Sequence, residues 1–495
     1  LARGVRVPWH DEPLHEWDYA IQSLSRALEI NPELWPARVN LCYAAGQSGN
    51  QALLNRTLPR VPQAIRKTVV ECILSRMPLW EPFVLWSPHD PGSESASTAT
   101  AAHANDSSAG NGKCELKVPL RWHGPMFNES GFASEAHMFL FSLAQNGIHP
   151  AIRNIGYVIS DRFLKGMPSD DRQALFRMRD RYASCSGGIV VQTGDTNLLP
   201  MVGADYLVGR VMFETERLPR SWMQRCNLMD ELWVTGTPQK QAYMASGVPE
   251  SKIHILNGAV DERLYDPDKC GRMELGTGTT FNFFAIFEWI YRKGWDVLFE
   301  AYFREFDADD DVTLLIRTYM SGADRKKMRL RFDAEAARIA KKIGKPVAKL
   351  PRYRLLEEMI PVSEFGAFYN SVDCVVSPSR GEGWGRPQQE AMLMGLPVIA
   401  TGWGGTMEFM SPETNYLIDY KLKPVRGVEA VYWDYRESRW AEPDVEHLAH
   451  LMRHVVVNRD EARQTGARAR QHILKNFNRQ KVTQQLIDHL ARIQD

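Results

Sequence analysis

From Leu116 onward the apolar residues fall in short runs, and many of the runs are followed by a stretch with helical spacing. The runs predict strands over 116–122, 150–155, 188–193, 206–213, 230–234 and 252–256. Helix-period segments lie between several of them, such as Phe132–Gln145 and Pro238–Ser246. Asp266-Pro267 and Gly276-Thr277-Gly278-Thr279 interrupt the alternation, which then restarts. Beyond the break, strands are predicted over 281–287, 312–317, 372–377 and 396–401, with helices near 294–306, 323–343 and 386–394. The tail from Asp444 reads as helical to its end. Parallel strands need long crossovers, usually helices that then cover the sheet, so strand–helix alternation predicts parallel sheets between helical layers. Two such runs predict an α/β chain with two doubly wound, Rossmann-like lobes.

The region ahead of Leu116 has a different pattern. Trp17, Ile21, Leu24 and Leu28 recur at spacings of three to four and end at Asn31-Pro32, a helix stop. A second apolar stretch, Val39 to Ala45, stops near Gly46. The segment Ala27–Pro32, with Ala37 and Asn40-Leu41, resembles one tetratricopeptide unit, but no second copy follows at a spacing of about 34 residues. A short helical prelude is therefore the simpler reading. Pro91 to Gly112 is rich in Ser, Ala, Thr and Gly without a large apolar residue, so it cannot build a core and reads as a flexible linker. The expected organisation is a helical extension over 1–90, a linker over 91–114, a first lobe over 115–270, a second over 271–470 and a C-terminal helix over 471–495.

Composition narrows the function. The 495 residues are 44% apolar and 24% charged, ordinary for a globular protein. Lys plus Arg and Asp plus Glu number 60 each, so the basic excess of a general nucleic-acid binder is missing. No run of about 18 uncharged apolar residues predicts a membrane span. The chain starts at Leu1, which leaves a leader or anchor upstream open, and with it the choice between a cytoplasmic and an endomembrane-associated location. The basic run Arg325–Arg331 reads as a solvated helix face that an anionic membrane or polymer could use. Seven cysteines lie far apart with no CxxC pair and read as reduced, mostly buried thiols. Asp307-Ala308-Asp309 has the form of a metal motif but sits in an acidic turn, where solvated carboxylates suffice. His123 and His137 have no partners at zinc spacing.

Chemistry concentrates in Ser377-Pro378-Ser379-Arg380-Gly381-Glu382-Gly383-Trp384-Gly385-Arg386-Pro387-Gln388-Gln389-Glu390. It follows a predicted strand, and Pro387 falls where a first helical turn tolerates proline. Free N–H groups at that helix start, approached closely because of Gly383 and Gly385, make an anion site. Glu382 and Glu390 then flank it, and neither is expected to be a core residue. A carboxylate beside an anion cradle suits the hydroxyls of a diol such as ribose, or the positive charge that grows at a sugar carbon when its bond to phosphate breaks.

The Glu-x7-Glu spacing within Ser-Pro-Ser and Glu-Gly-Trp-Gly resembles the signature of retaining glycosyltransferases of family 4, which have the GT-B fold of two facing Rossmann-like lobes. Gly395–Thr401, Gly404–Glu408, Arg292-Lys293-Gly294-Trp295-Asp296 and Asn257–Asp261 continue the likeness, which spans roughly residues 115–495. It implies a nucleotide-sugar donor held mainly by the second lobe and a glycan, lipid or protein acceptor held mainly by the first. It implies that Glu390 holds the ribose and that Glu382 contacts sugar hydroxyls near the reacting carbon. The main chain of Gly383, Trp384, Gly385 and Arg386 would cradle the pyrophosphate or sugar, with Arg292 and Lys293 neutralising the leaving diphosphate. Gly131 would be the glycine loop of the first lobe, and backbone near Met359-Ile360-Pro361, Ile360 among it, would read the base. Two positions depart from the family: Glu288 stands where many relatives have Arg, and Glu214 where many have His. Glu214 can accept from a sugar hydroxyl but donates no proton while ionised.

These residues lead to the expectation of a retaining hexosyltransferase that uses a nucleotide diphosphate sugar and needs neither metal nor other cofactor. The alternative from another class is a non-catalytic nucleotide-sugar-binding scaffold whose N-terminal helices recruit a protein partner.

Overall fold

The structure, a computed structural model, describes residues 41, 42, 45, 51–58, 116–128, 130–155, 160–185, 187–194, 204–258, 260–319, 325–357, 360–427 and 438–494. The chain divides into two compact units, residues 1–113 with 201–203, and residues 114–200 with 204–495. In the smaller unit α1 (Gln51–Thr57) buries Leu53, and the Thr57 hydroxyl donates to the Leu53 carbonyl at 2.8 Å. The expected helix over 17–30, most of the tetratricopeptide-like segment and the linker lie outside the described residues.

The larger unit holds two six-stranded parallel sheets. The first contains β1 (Leu120–Gly124), β2 (Ala151–Asn154), β3 (Ile189–Gly194), β4 (Tyr206–Val211), β5 (Glu231–Val234) and β6 (Ile253–Ile255), in the spatial order 2-1-3-4-5-6. The second contains β7 (Phe281–Glu288), β8 (Val312–Tyr319), β9 (Arg352–Leu355), β10 (Cys374–Ser377), β11 (Val398–Thr401) and β12 (Tyr416–Ile418), in the order 9-8-7-10-11-12. Every predicted strand overlaps an observed one. Two more complete the second sheet, and β13 (Tyr420–Pro424) pairs antiparallel with β14 (Arg439–Pro443). Strand order reverses between β1 and β3, and again between β7 and β10. In open parallel sheets such a reversal leaves a crevice at the carboxyl ends of the strands.

Helices supply the covering layers. Ser130 caps α2 (Gly131–Gln145) by accepting from the Ala133 N–H at 3.2 Å, and the helix lays Phe139 and Leu143 in one core with Trp122 and Val191. On the second sheet α3 (Trp295–Glu305) places Leu298, Phe299 and Tyr302 in a core with Phe283 and Leu314. The helix α4 (Arg386–Leu393) follows the segment that holds Glu382.

The helical tail is three helices, α5 (Val445–Val457), α6 (Arg459–Asn476) and α7 (Arg479–Gln494). α7 returns to the first sheet. It sinks Val482, Leu486 and Leu490 into the core around Trp122, while Arg492 pairs with Glu231 at 2.6 Å and Arg479 donates to the Ser142 hydroxyl at 2.7 Å. The end of the chain thus ties the two sheets into one unit. Of the cysteines among the described residues, Cys42, Cys226 and Cys374 are buried.

Candidate functional site

The loops after β7 and β10 meet at the reversal point of the second sheet. Gly294 has φ 69°, and a Cβ there would collide with the Pro378 carbonyl, so glycine lets the two loops touch. The Arg380 N–H donates to the Arg292 carbonyl at 2.6 Å, which fixes one loop against the other. This contact brings together Lys293 and Glu382, 89 residues apart in sequence. Lys293 Nζ lies 2.7 and 2.8 Å from the two carboxylate oxygens of Glu382. Arg292 Nη1 donates to the Gly381 carbonyl at 2.6 Å and faces Glu382 Oε2 at 3.4 Å. Its Nη2 reaches Glu214 Oε1 at 3.3 Å, across from the loop after β4.

Burial pushes the Glu382 carboxyl up, but Lys293 and Arg292 outweigh it and hold the group below the usual glutamate range. Burial also pulls the Lys293 ammonium down, Glu382 opposes that, and the net direction is downward.

Glu390 lies on α4 in different surroundings. Tyr369 Oη donates to its Oε2 at 3.1 Å, Tyr265 also bonds to it, and Arg386 Nη2 stands 3.4 Å from Oε1. Burial dominates and raises its pKa above the usual range despite Arg386 and the two phenols. The expectation that neither glutamate belongs to the core needs correcting for Glu390, which two tyrosines cover.

The remaining expected residues fall around these two centres. Gly385 has φ 97° and ends the loop in a left-handed conformation, from which α4 starts with its first N–H groups free of intrahelical partners. The Gly383 carbonyl accepts from the Thr235 hydroxyl of the first lobe at 2.6 Å. A Cβ on Gly131, at the start of α2, would come 3.8 Å from Arg386 Cδ, so the glycine loop of the first lobe faces the start of α4. Ile360 packs, partly buried, on the cluster that includes Tyr265 and Tyr369, while Met359 lies outside the described residues. Trp384 turns its indole away into that cluster, 4.8 Å from the Phe409 ring, with Nε1 donating to Gln389 at 2.7 Å.

Arg380 lies in the Ser377–Glu390 segment but carries no signal of its role in the sequence. Its guanidinium is fully buried, binds Asp296 at 2.8 and 2.9 Å and Glu442 of β14 at 2.8 and 2.9 Å, and lies 3.8 Å from the Tyr291 ring centre. It holds the Tyr291–Lys293 turn in place. Glu408 also went unassigned, although it ends the Gly404–Glu408 segment; it accepts from the Thr237 N–H of the first lobe at 2.7 Å. Asp307, of the Asp-x-Asp motif, pairs with Lys345 at 2.7 Å. His123 and His137 are buried, and burial pushes them down to about 3 and about 4. Among the described residues no three His, Cys, Asp or Glu side chains gather as a metal site. Nor is any described helix long and apolar enough to cross a membrane.

Residues 279–430 match the family model of glycosyl transferases group 1. The match covers the second sheet through β13, with both cations and both glutamates. The fold is similar over 76% of this chain to all of HepE of Anabaena, solved with UDP and glucose, at 13% identity and TM-score 0.52. Sucrose-phosphate synthase from Thermosynechococcus elongatus aligns at 14% identity and TM-score 0.54, over 76% of this chain and 99% of that one. For an α,α-trehalose-phosphate synthase (UDP-forming) from Burkholderia vietnamiensis the figures are 11% and 0.53, again over 76% and 99%. At such identities the likeness carries the fold, which is GT-B. No curated protein sequence matches the chain.

Proposed function

We propose that the protein transfers a hexose from a nucleotide diphosphate sugar to an acceptor hydroxyl and retains the anomeric configuration. The observation that carries this reading is the Lys293–Glu382–Arg292 cluster, set at the strand-order reversal on the segment that leads into α4. Two cations and a helix start supply positive potential where the leaving diphosphate gathers charge. Glu382 orients both cations and accepts from sugar hydroxyls near the reacting carbon; Glu390 accepts from the ribose diol. The acceptor enters from the side of the first lobe, past Gly131, and the leaving phosphate oxygen takes its proton. No side-chain nucleophile is needed for this front-face route. No metal is needed either, because Arg292, Lys293 and the start of α4 perform the neutralisation. UDP and glucose in the HepE crystal structure support a nucleoside diphosphate donor here.

The test begins with thermal shift against UDP-, GDP- and ADP-sugars, since a ligand that binds only the folded state raises its melting temperature. The donor that binds is then offered to acceptors, and the product linkage is read by proton NMR. Retained configuration supports the reading; inverted configuration overturns it. A non-catalytic nucleotide-sugar scaffold is the second reading, favoured by the Glu214–Arg292 pair, which occupies one of the two cations. Donor hydrolysis or transfer above background decides against it.

A further inference from the structure

The two carboxylates that hold the cation pair are not equivalent. Glu382 belongs to the same lobe as Arg292 and Lys293, presents both oxygens to Lys293, and has its carbonyl fixed by the Gly405 N–H at 2.8 Å. Glu214 comes from the first lobe, is 26% exposed, and among the described residues its carboxylate makes one ion pair, to Arg292 at 3.3 Å. Its main chain is nonetheless held firmly. A Cβ on Gly381 would collide with the Glu214 carbonyl, and the next residue but one, Glu216, binds Arg439 through both carboxylate oxygens at 2.7 Å. Glu214 is therefore a loosely held side chain on a fixed backbone.

Arg292 and Lys293 face Glu382 and Glu214, so the charges of these four side chains balance. We propose that Glu214 is an exchangeable counter-ion, occupying Arg292 while the crevice is empty and giving it up to the diphosphate of a nucleoside diphosphate ligand. The inference rests on the reading of Arg292 and Lys293 as the diphosphate cations. A diphosphate offers short, charge-assisted and bidentate bonds to the guanidinium, and one long contact at 3.3 Å cannot compete with them. The incoming negative charge also repels the carboxylate, whose side chain swings aside without moving the main chain. Binding thus costs the Glu214–Arg292 pair, and release regains it. Glu214 sets donor affinity low and helps expel the nucleoside diphosphate product, which a neutral residue at this position would retain.

The experiment is calorimetric titration of UDP, GDP and ADP into the full chain, its Glu214→Gln variant, which keeps the shape without the charge, and its Glu214→Asp variant, which keeps the charge. Glu214→Gln is expected to bind its nucleoside diphosphate roughly three- to tenfold more tightly than the unaltered protein, with a matching fall in donor KM and little gain in kcat. Glu214→Asp should stay near the unaltered value, and added salt should shrink the difference. Equal affinity of the unaltered protein and Glu214→Gln, with both binding, overturns the exchange while leaving the proposed activity intact. Weaker binding by Glu214→Gln also overturns it, because Glu214 is then itself a donor contact. Failure of all three proteins to bind any of the diphosphates overturns the proposed activity and this inference with it.

Discussion

Glu382 and Glu390 stand on one continuous loop-and-helix segment, with side chains 13% and 11% exposed. Burial by itself raises the pKa of both. Around Glu382 the cations Lys293 and Arg292 more than offset that, so the carboxylate is held ionised and in turn holds the cations. Around Glu390 the neighbours are two phenols and one arginine at 3.4 Å, and burial prevails. Equal exclusion of water therefore produces opposite electrostatics, and the sign follows from which charges the fold brings within reach. The contrast also suits the two proposed tasks: a permanent carboxylate charge that holds the diphosphate cations in place, and a carboxylate that gains from receiving a ribose diol.

The strongest test of this contrast is Glu382→Ala. Transfer should fall roughly a hundredfold or more in kcat/KM, as expected when a group that organises transition-state charge is lost. A change within a factor of about two would break the assignment.

The next effect is on donor binding and stability together. Glu390→Gln should raise donor KM about tenfold through loss of a charged acceptor for the ribose. The same substitution should raise the melting temperature of the empty protein at pH 7. The folded-state pKa of Glu390 lies above its unfolded value, so its ionisation works against the fold at neutral pH. Glu382→Gln should lower the melting temperature, because a depressed pKa contributes stability above the unfolded value that disappears only as pH falls through the folded one. Shifts of the same sign in both variants would dissolve the contrast.

A smaller effect is expected on acidification. Glu390 takes up its proton first, so donor affinity should decline while the Glu382 cluster is still charged. Calorimetric titration of the donor from neutral to mildly acid pH checks this; Glu390→Gln should flatten the profile, and an unchanged profile would assign the decline elsewhere. EDTA should have the smallest effect, less than about twofold on transfer. Complete loss on chelation would return attention to Asp307 and Asp309.

Legibility differed from element to element. Ten strands could be read because buried parallel strands are short apolar runs. β9 escaped because Arg352 and Arg354 break its apolar pattern, and the three-residue β12 was missed as well. β14 is an edge element whose place depends on Arg380 binding Glu442. In the site, Glu382, Glu390 and the Gly385 turn could be found because one local segment carries them. The phenols around Glu390 left no signal, since Tyr265 and Tyr369 arrive from separate parts of the chain. Trp384 sits in the same motif, but its indole serves packing against Phe409.

Local order in the sequence determined two runs of strands and helices, a glycine turn that opens α4, and two acidic residues at a fixed spacing. Their periodicities and φ requirements act over a few residues and need no distant partner. Tertiary structure alone decided that Lys293 meets Glu382, that Glu214 crosses from the first lobe to Arg292, and that α7 returns to the first sheet. Charge pairs and core contacts depend on distances in space, and those distances exist only once both sheets have assembled and their loops have converged.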